Sequence, residues 1–559
     1  MPKNKRKQQS FEYGAIILLC STVLVKVIGA IFKIPLSNLI GDLGFGYFSS
    51  AYDLFTPIYT LAMAGLPIAV SRIVAEHMAA GRFADVKLSL KITKKLFFFT
   101  GFSAFIIMLL LIYPFVNLTD PTGETVYSLF AIAPSLLFCC VMSTYRGYYE
   151  GLRNMYPTAV SDVTEALGKL ILGYGIAYVV MRYTHNMAYA AAGAMVGISI
   201  GAALAAGYLR LRYSLKGDGI TEEEIAEGPP ASDSKTAAKA LVAIAIPVVL
   251  ASLANSVASL VDVSMVKWQL AHLVQSSGDY IRNMYSTAIA DYVNNYGALS
   301  DKAISTFLYG IRSKAFTIYN LVPTITSVLG VSALPVLASV WTKKDNKLIK
   351  RNMESTIKLT AIIAMPAGIG FLAIGDNIMA LMYSSVASYE IGGSMMRIYG
   401  LAAIFAGLAI PMTSMLQAIG KQVISLRNVV IGAVIKVVIN FIAVGIPSVN
   451  IRGAAIGTFA CYLAVFLLNL LSLIKYTGIV PNLIKVIVKP LLASLCCGAV
   501  AFFIPLGISK TDTIIKIGAA GITYLAALVV FNVFEDEDVL SLPGGQKVLP
   551  ILKKCKFIR

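Results

Sequence analysis

The chain has 559 residues, 57% of them hydrophobic and only 14% charged, with a mean hydropathy of +0.75. A soluble protein of this length could not cover so much apolar surface, and its repeated apolar stretches of roughly 20 residues mark a polytopic helical membrane protein. The strict alternation of an outer-membrane barrel is missing, and the net charge of +18 does not indicate nucleic acid, because the basic residues cluster in short loops without aromatic platforms.

Fourteen spans are predicted, approximately at 13–40, 47–78, 96–116, 125–150, 158–182, 187–209, 239–268, 303–340, 355–375, 393–419, 424–446, 452–474, 484–506 and 514–534. The first follows a basic start, Met1 to Lys7, that imitates a signal peptide; Lys26 interrupts its apolar run and no small-residue cleavage site follows, so it reads as a retained helix. Lys26 and Lys33 stand seven apart on one face of helix 1, about 10 Å from each other by helix rise, with Pro35 just beyond. Such a pair suits a diphosphate or two separated anions; the other open reading is that one lysine snorkels to an interface. Helix 2 carries Asp53 towards one end and Arg72 towards the other, where Arg72 either snorkels or marks a cavity mouth.

On helix 5, Glu165 and Lys169 are four apart and within reach of a self-neutralised pair. Gly193, Gly197, Gly201 and Ala205 form a small-residue stripe on helix 6 that permits close packing. The polar stretch 216–239, with Glu222, Glu223, Glu224, Pro229 and Pro230, reads as a linker. Asp262 on helix 7 either neutralises a cavity cation or binds a coupling ion, and 269–301 reads as a long outer segment. On helix 8, Arg312 offers a planar fork of donors that matches phosphate oxygens. Lys314, two residues on, points to a nearly opposite side and is expected to be paired or interfacial. Lys436 on helix 11 has Gly432 where an acid would sit four residues earlier.

Lys26, Lys33, Arg72, Lys169, Arg312, Lys314 and Lys436 are therefore singled out as cations inside spans, against Asp53, Glu165 and Asp262. A cation in hydrocarbon costs at least ~3 kcal/mol on insertion scales, so such residues face a partner or a wet cavity. Their surplus indicates a path for something anionic.

The loops orient the chain. The termini and even-numbered loops hold about 32 Lys and Arg against about 8 on the other side, with the heaviest runs at 82–95 and 343–358. Both termini are accordingly expected in the cytoplasm. Internal similarity divides the chain: Leu90-Lys91-Ile92-Thr93 matches Ile357-Lys358-Leu359-Thr360 at a displacement of 267, Lys169 matches Lys436 at the same displacement, and Gly193-Ala194-x-x-Gly197 matches Gly453-Ala454-x-x-Gly457. A duplicated six-helix unit keeps its orientation, so the repeat is parallel and favours a cleft between two lobes. The expected division is a first lobe at 1–212, a linker at 213–238, a second lobe at 239–476, an appended pair of helices at 477–534 and a basic cytoplasmic tail at 535–559.

Chemistry other than transport finds little support. Cys20, Cys139, Cys140, Cys461, Cys496 and Cys497 lie in apolar segments and Cys555 in the basic tail, without zinc-type spacing. His77, His185 and His272 are scattered, and neither HExxH nor a GxxxxGK[ST] phosphate loop occurs. A membrane glycosyltransferase would be expected to carry acids on a substantial first outer loop, which here is short. No catalytic residue, metal or nucleic-acid partner is expected.

The run Lys26-Val-Ile-Gly29-Ala-Ile-Phe-Lys33-Ile-Pro35-Leu, then Gly41-Asp42-Leu-Gly44-Phe-Gly46, then Gly65-Leu66-Pro67 with Ser71-Arg72-Ile-Val-Ala-Glu76, resembles bacterial polysaccharide exporters and relatives of stage V sporulation protein B. These belong to the multidrug/oligosaccharidyl-lipid/polysaccharide (MOP) exporter superfamily, with the lipid II flippase MurJ and the MATE exporters. The resemblance covers nearly the whole chain. It implies an all-α membrane protein of two six-helix lobes around a central cavity that opens alternately to either side. It also implies a substrate built on undecaprenyl diphosphate and a groove for the lipid tail in helices 13 and 14. In the MurJ-like branch, cations on helices 1, 2 and 8 contact the diphosphate; by motif position these are Lys26, Lys33 and Arg312 here. Helix 1 departs from the pattern in having Lys for Arg, and Arg72 lies deeper than the matching cation. Arg72, Lys169, Lys436, Asp53, Asp262 and Glu165 are candidates for lining the cavity. The expected function is export of a lipid-linked envelope precursor, lipid II first, in the cytoplasmic membrane. A proton or monovalent cation is the candidate coupling ion, and the envelope-synthesis machinery a candidate partner. A MATE-like exporter of organic cations and a non-transporting envelope or sporulation scaffold are the alternatives.

Overall fold

The computed structural model describes residues 11–63 and 65–533. The tail at 535–559 with Cys555, and the basic start at Met1 to Lys7, lie outside the described residues. Within them, twelve segments are long and apolar enough to cross a membrane. Cys20–Ala79 comprises two spans, because Gly41 (φ 69°, ψ −175°) breaks the helix in a region of backbone space that is open essentially to glycine alone. Ser234–Met284 supplies one more, so the protein is an all-α, fourteen-span membrane protein.

Helix 1 covers 11–40; helix 2 covers 42–63 and resumes as Leu66–Ala79. Then follow helix 3 (Phe83–Thr119), helix 4 (Thr125–Gly151), helix 5 (Tyr156–Thr184), helix 6 (Met187–Lys216), helix 7 (Ser234–Met284) and helix 8 (Asp301–Thr342). Helix 9 (Asn346–Met382), helix 10 (Val386–Ala418), helix 11 (Gln422–Val444), helix 12 (Asn450–Thr477), helix 13 (Ile484–Phe503) and helix 14 (Lys510–Val530) complete the chain.

Two expectations about loops are corrected. The segment 269–301 is largely helical: helix 7 continues to Met284 and a further helix spans Ser286–Tyr296. Leu270, Leu273, Val274, Ile281, Ala288, Ile289 and Tyr292 are buried there, a spacing of three, four and seven that gives an otherwise polar stretch one apolar stripe to pack. The basic run 82–95 likewise forms the first turns of helix 3, with Val86, Leu90 and Thr93 buried beneath it.

Packing gathers the helices into two compact units. The first contains the chain up to Trp268 together with Ser305–Gly310; the second contains Gln269–Ile304 and the chain from Ile311 onward. The chain therefore passes between units inside helices 7 and 8, not in the 213–238 linker. That linker is docked on the first unit. Asp218 accepts from Lys87 at 2.8 Å and from the Tyr148 hydroxyl at 2.7 Å, while Asp85 takes the Ser232 amide at 2.7 Å and pairs with Arg82 at 2.7 Å.

The repeat is visible in matching contacts inside each unit. In the first, a side chain at Gly197 would strike the backbone of Gly173, four residues after Lys169. In the second, a side chain at Gly457 would strike Asn440, four residues after Lys436. In each copy a small-residue helix is thus seated at the same place on its neighbour. Apart from this seam, the second unit is held by a buried amide cluster. Asn428 donates to Asn469 at 3.0 Å and Ser472 at 3.1 Å, and Asn469 donates to Thr413 at 2.9 Å.

Candidate anion-binding site

Helix 2 carries a ladder of rings. Phe45, Phe48, Tyr52, Phe55 and Tyr59 follow at three- and four-residue spacing, each centroid 5.6–6.0 Å from the next. Phe32 of helix 1 meets Phe48 edge-on at 6.0 Å. Stacking fixes Tyr52, and two lysines from other helices converge on it. Lys33 Nζ is 5.3 Å from the ring centroid; Lys169 Nζ is 5.8 Å from it and donates to the hydroxyl at 3.4 Å. Both lysines are half-buried. Their ammoniums therefore lie within about 11 Å of each other, around a ring whose face attracts cations by ~0.5–2 kcal/mol each.

Local backbone geometry delivers Lys169 to this place. It opens a π-helical turn, Lys169–Gly173, inside helix 5, a widened turn that changes the facing of the residues around it. The turn lies where backbones touch: Gly197 against Gly173, Gly168 against Gly201, and Gly173 against the Phe32 ring.

The self-neutralised Glu165–Lys169 pair is not what the structure holds. Glu165 is taken by Arg146 of helix 4, whose Nη2 sits 3.2 Å from Oε2. The same guanidinium pairs with Asp162 at 2.9 Å and donates from Nε to Ser161 at 2.8 Å. Arg146 and Asp162 were overlooked in the sequence although both lie inside predicted spans. Their signal was available as charge within an apolar stretch; which charges meet depends on the packing of helix 4 against helix 5.

A second overlooked cation is Lys267, 2% exposed. Its Nζ donates to Ser50 at 2.5 Å and lies 5.4 Å from the Phe115 ring and 5.2 Å from the Tyr309 ring. Asp120 and Asp53 are the carboxylates acting on it. Asp53 accepts from the Tyr309 hydroxyl at 2.6 Å, and Asp120 from Thr306 at 3.1 Å and from the Thr122 and Thr125 hydroxyls at 2.7 and 2.6 Å. Lys267 escaped notice because helix 7 was expected to end at 268, where a lysine reads as interfacial. Since the helix continues, it is an interior residue.

Among the remaining sequence candidates in the first unit, Lys26 is exposed and makes no hydrogen bond or ion pair among the described residues. Arg72 is also exposed and pairs with Glu76 at 2.8 Å, and Asp262 is buried. In the second unit Arg312 is 5% exposed, with its guanidinium carbon 5.5 Å from the Phe316 ring. Lys314 points elsewhere, as its two-residue offset requires, but it is buried and not interfacial: Nζ bonds Ser388 at 3.3 Å and lies 5.1 Å from the Tyr383 ring. Lys436 is half-buried. Thus the structure brings Lys33 together with Lys169 on Tyr52, and Asp53 together with Lys267.

A bundle of fourteen membrane helices, duplicated in parallel and bearing interior cations, defines a multi-pass transporter of the multidrug/oligosaccharidyl-lipid/polysaccharide exporter superfamily. The chain belongs to the polysaccharide biosynthesis protein family, which matches residues 13–342, while the MatE family matches 302–442. It is 24% identical to stage V sporulation protein B of Bacillus subtilis (strain 168) over 547 residues, 96% of this chain and 98% of that protein. It is 23% identical to the lipid II flippase MurJ of the same organism over 481 residues, 83% of this chain and 82% of that one. Its fold matches a structure of lipid II flippase MurJ in an inward closed conformation with a TM-score of 0.62 at 15% identity, covering 92% of this chain and 98% of the other.

Proposed function

We propose that the protein is a flippase for an undecaprenyl-diphosphate-linked envelope precursor, with lipid II the first substrate to test. The observation that carries this reading is the pair of half-buried ammoniums, Lys33 and Lys169, gathered on Tyr52 while the acid nearest in sequence is held by Arg146. Two cations gathered on one ring, within about 11 Å of each other, suit the two charged centres of a diphosphate, and Arg312, in the second unit, is by itself a further candidate for a phosphate oxygen. Lys26, further along helix 1, would meet the substrate on its way in. Similarity to the lipid II flippase and to the polysaccharide family supports a lipid-linked glycan as cargo.

In this reading the substrate enters from the cytoplasmic side, where both termini lie, and its negative charge compensates the interior cations. Compensation favours closure, and opening on the other side releases the sugar. Membrane potential, worth about 2.3 kcal/mol per charge per 100 mV, or a cation gradient acting through Asp53 or Asp262 drives the cycle.

The test replaces Lys33 and Lys169 separately with Gln and measures exposure of lipid II on the outer leaflet, at equal protein level in the membrane. Each variant is expected to lose most export. Unchanged export in both would defeat the anion-site reading. Parallel assays with another undecaprenyl-diphosphate oligosaccharide separate lipid II from other glycans, and export of an organic cation in place of either would select the multidrug reading.

A further inference from the structure

We infer that Arg146 is a positioning residue for anion binding: by sequestering Glu165 it keeps the Lys169 ammonium available to the substrate. The inference rests on the anion-site reading above. It begins from a conflict written into helix 5. Glu165 precedes Lys169 by four residues, the spacing and order at which an acid and a lysine on one helix attract each other best. Left alone, the pair would cancel the charge that the site needs. The structure resolves the conflict from a neighbouring helix.

Arg146 reaches across from helix 4 with a side chain only 14% exposed, and each edge of its guanidinium is engaged: Nε by Ser161, Nη1 by Asp162, Nη2 by Glu165. A planar fork can hold two carboxylates at fixed angles; a lysine in its place could not. Lys169, meanwhile, turns away through its π-helical turn to the Tyr52 hydroxyl. Tyr52 offers its ring face and its hydroxyl oxygen, so the ammonium is oriented there, while Glu165, in contact with Arg146, acts on it only through space. Arg146 need not touch the substrate; it decides which partner Lys169 has.

This arrangement makes a prediction that a purely structural arginine would not. The experiment measures binding of undecaprenyl diphosphate to the purified full-length protein in nanodiscs. Arg146→Gln frees Glu165 to fall back on Lys169, and binding is expected to weaken about tenfold, the effect of losing one charge-assisted contact. Adding Glu165→Gln to that variant removes the competitor and should restore binding to within about threefold of the unmodified protein, because no carboxylate within one turn of Lys169 on helix 5 then competes with the substrate for it. Glu165→Gln alone should bind as well as the unmodified protein or better.

Failure of the inference is distinguishable from failure of the reading beneath it. Unweakened binding by both Lys33→Gln and Lys169→Gln would overturn the anion site itself. Weakened binding by Lys169→Gln with Arg146→Gln unaffected would overturn the role of Arg146 alone. So would weakening by Arg146→Gln that Glu165→Gln does not repair. Should Arg146→Gln fail to fold, Glu165→Gln decides: wild-type or tighter binding supports sequestration, and loss of binding overturns it.

Discussion

Lys267 shows what a single buried ammonium demands of its surroundings. It has Ser50 as hydrogen-bond partner, two aromatic faces, and Asp120 and Asp53 as counter-charges. Removing the single cation from such a group leaves both carboxylates uncompensated, which costs about 3–5 kcal/mol. Lys267→Met is therefore expected to lower the thermal unfolding temperature in detergent markedly, and Asp120→Asn combined with it to recover part of the loss, because Asp53 alone is then left without its counter-charge. If the double variant is no more stable than Lys267→Met, Asp120 and Lys267 are not partners. This scale is also where the sequence was least legible. That Lys33 and Lys169 are interior cations could be read from their apolar flanks. Their shared ring could not, because Tyr52 is one of many tyrosines until three helices bring it between them. Glu165 misled for the same reason: spacing along one helix reveals an intrahelical partner but is silent about an arginine on the next.

Among elements, helix 5 depends on glycines to present Lys169. A Gly197→Ala methyl group would fall on the backbone of Gly173 and Leu172, atoms that cannot rotate aside as a side chain would; overpacking of this kind costs about 1–3 kcal/mol. The helix would shift and the π-helical turn with it. Gly197→Ala is expected to reduce substrate export by more than it reduces the amount of folded protein, whereas Gly207→Ala, with open space around it on the same helix, should leave both unchanged. The stripe of small residues was legible as a packing surface; that it serves the facing of a lysine emerges only from the contact. The linker is a second case. Its polarity read as a tether, yet it docks through Asp218. Burial raises the affinity of that carboxyl for a proton, but the Lys87 ammonium, the Tyr148 hydroxyl and the Ile220 amide outweigh it and hold it below the usual carboxylate range. The docking energy is therefore fully present above about pH 4 and lost as pH falls through the lowered native value. Hydrogen exchange across 219–232 should stay slow from pH 7 to pH 5 and quicken only in stronger acid; quickening near neutral pH would assign the docking to another group.

For the molecule as a whole, composition and the period of apolar stretches were enough to give the class and the fourteen spans. Loop boundaries were not, because amphipathic extensions such as Ser286–Tyr296 lack the hydropathy of a span. The orientation inferred from loop charge has its own test. A single cysteine at Gly123 should react with an impermeant thiol reagent applied to intact cells, and one at Gly228 only after the membrane is opened; the reverse pattern would invert the topology. Between Gly310 and Ile311 helix 8 changes from one packing unit to the other without a break in the helix, and Arg312 is the second residue past that change. One continuous backbone ladder therefore serves two separately packed cores, so a proline placed in this turn would disturb both at once.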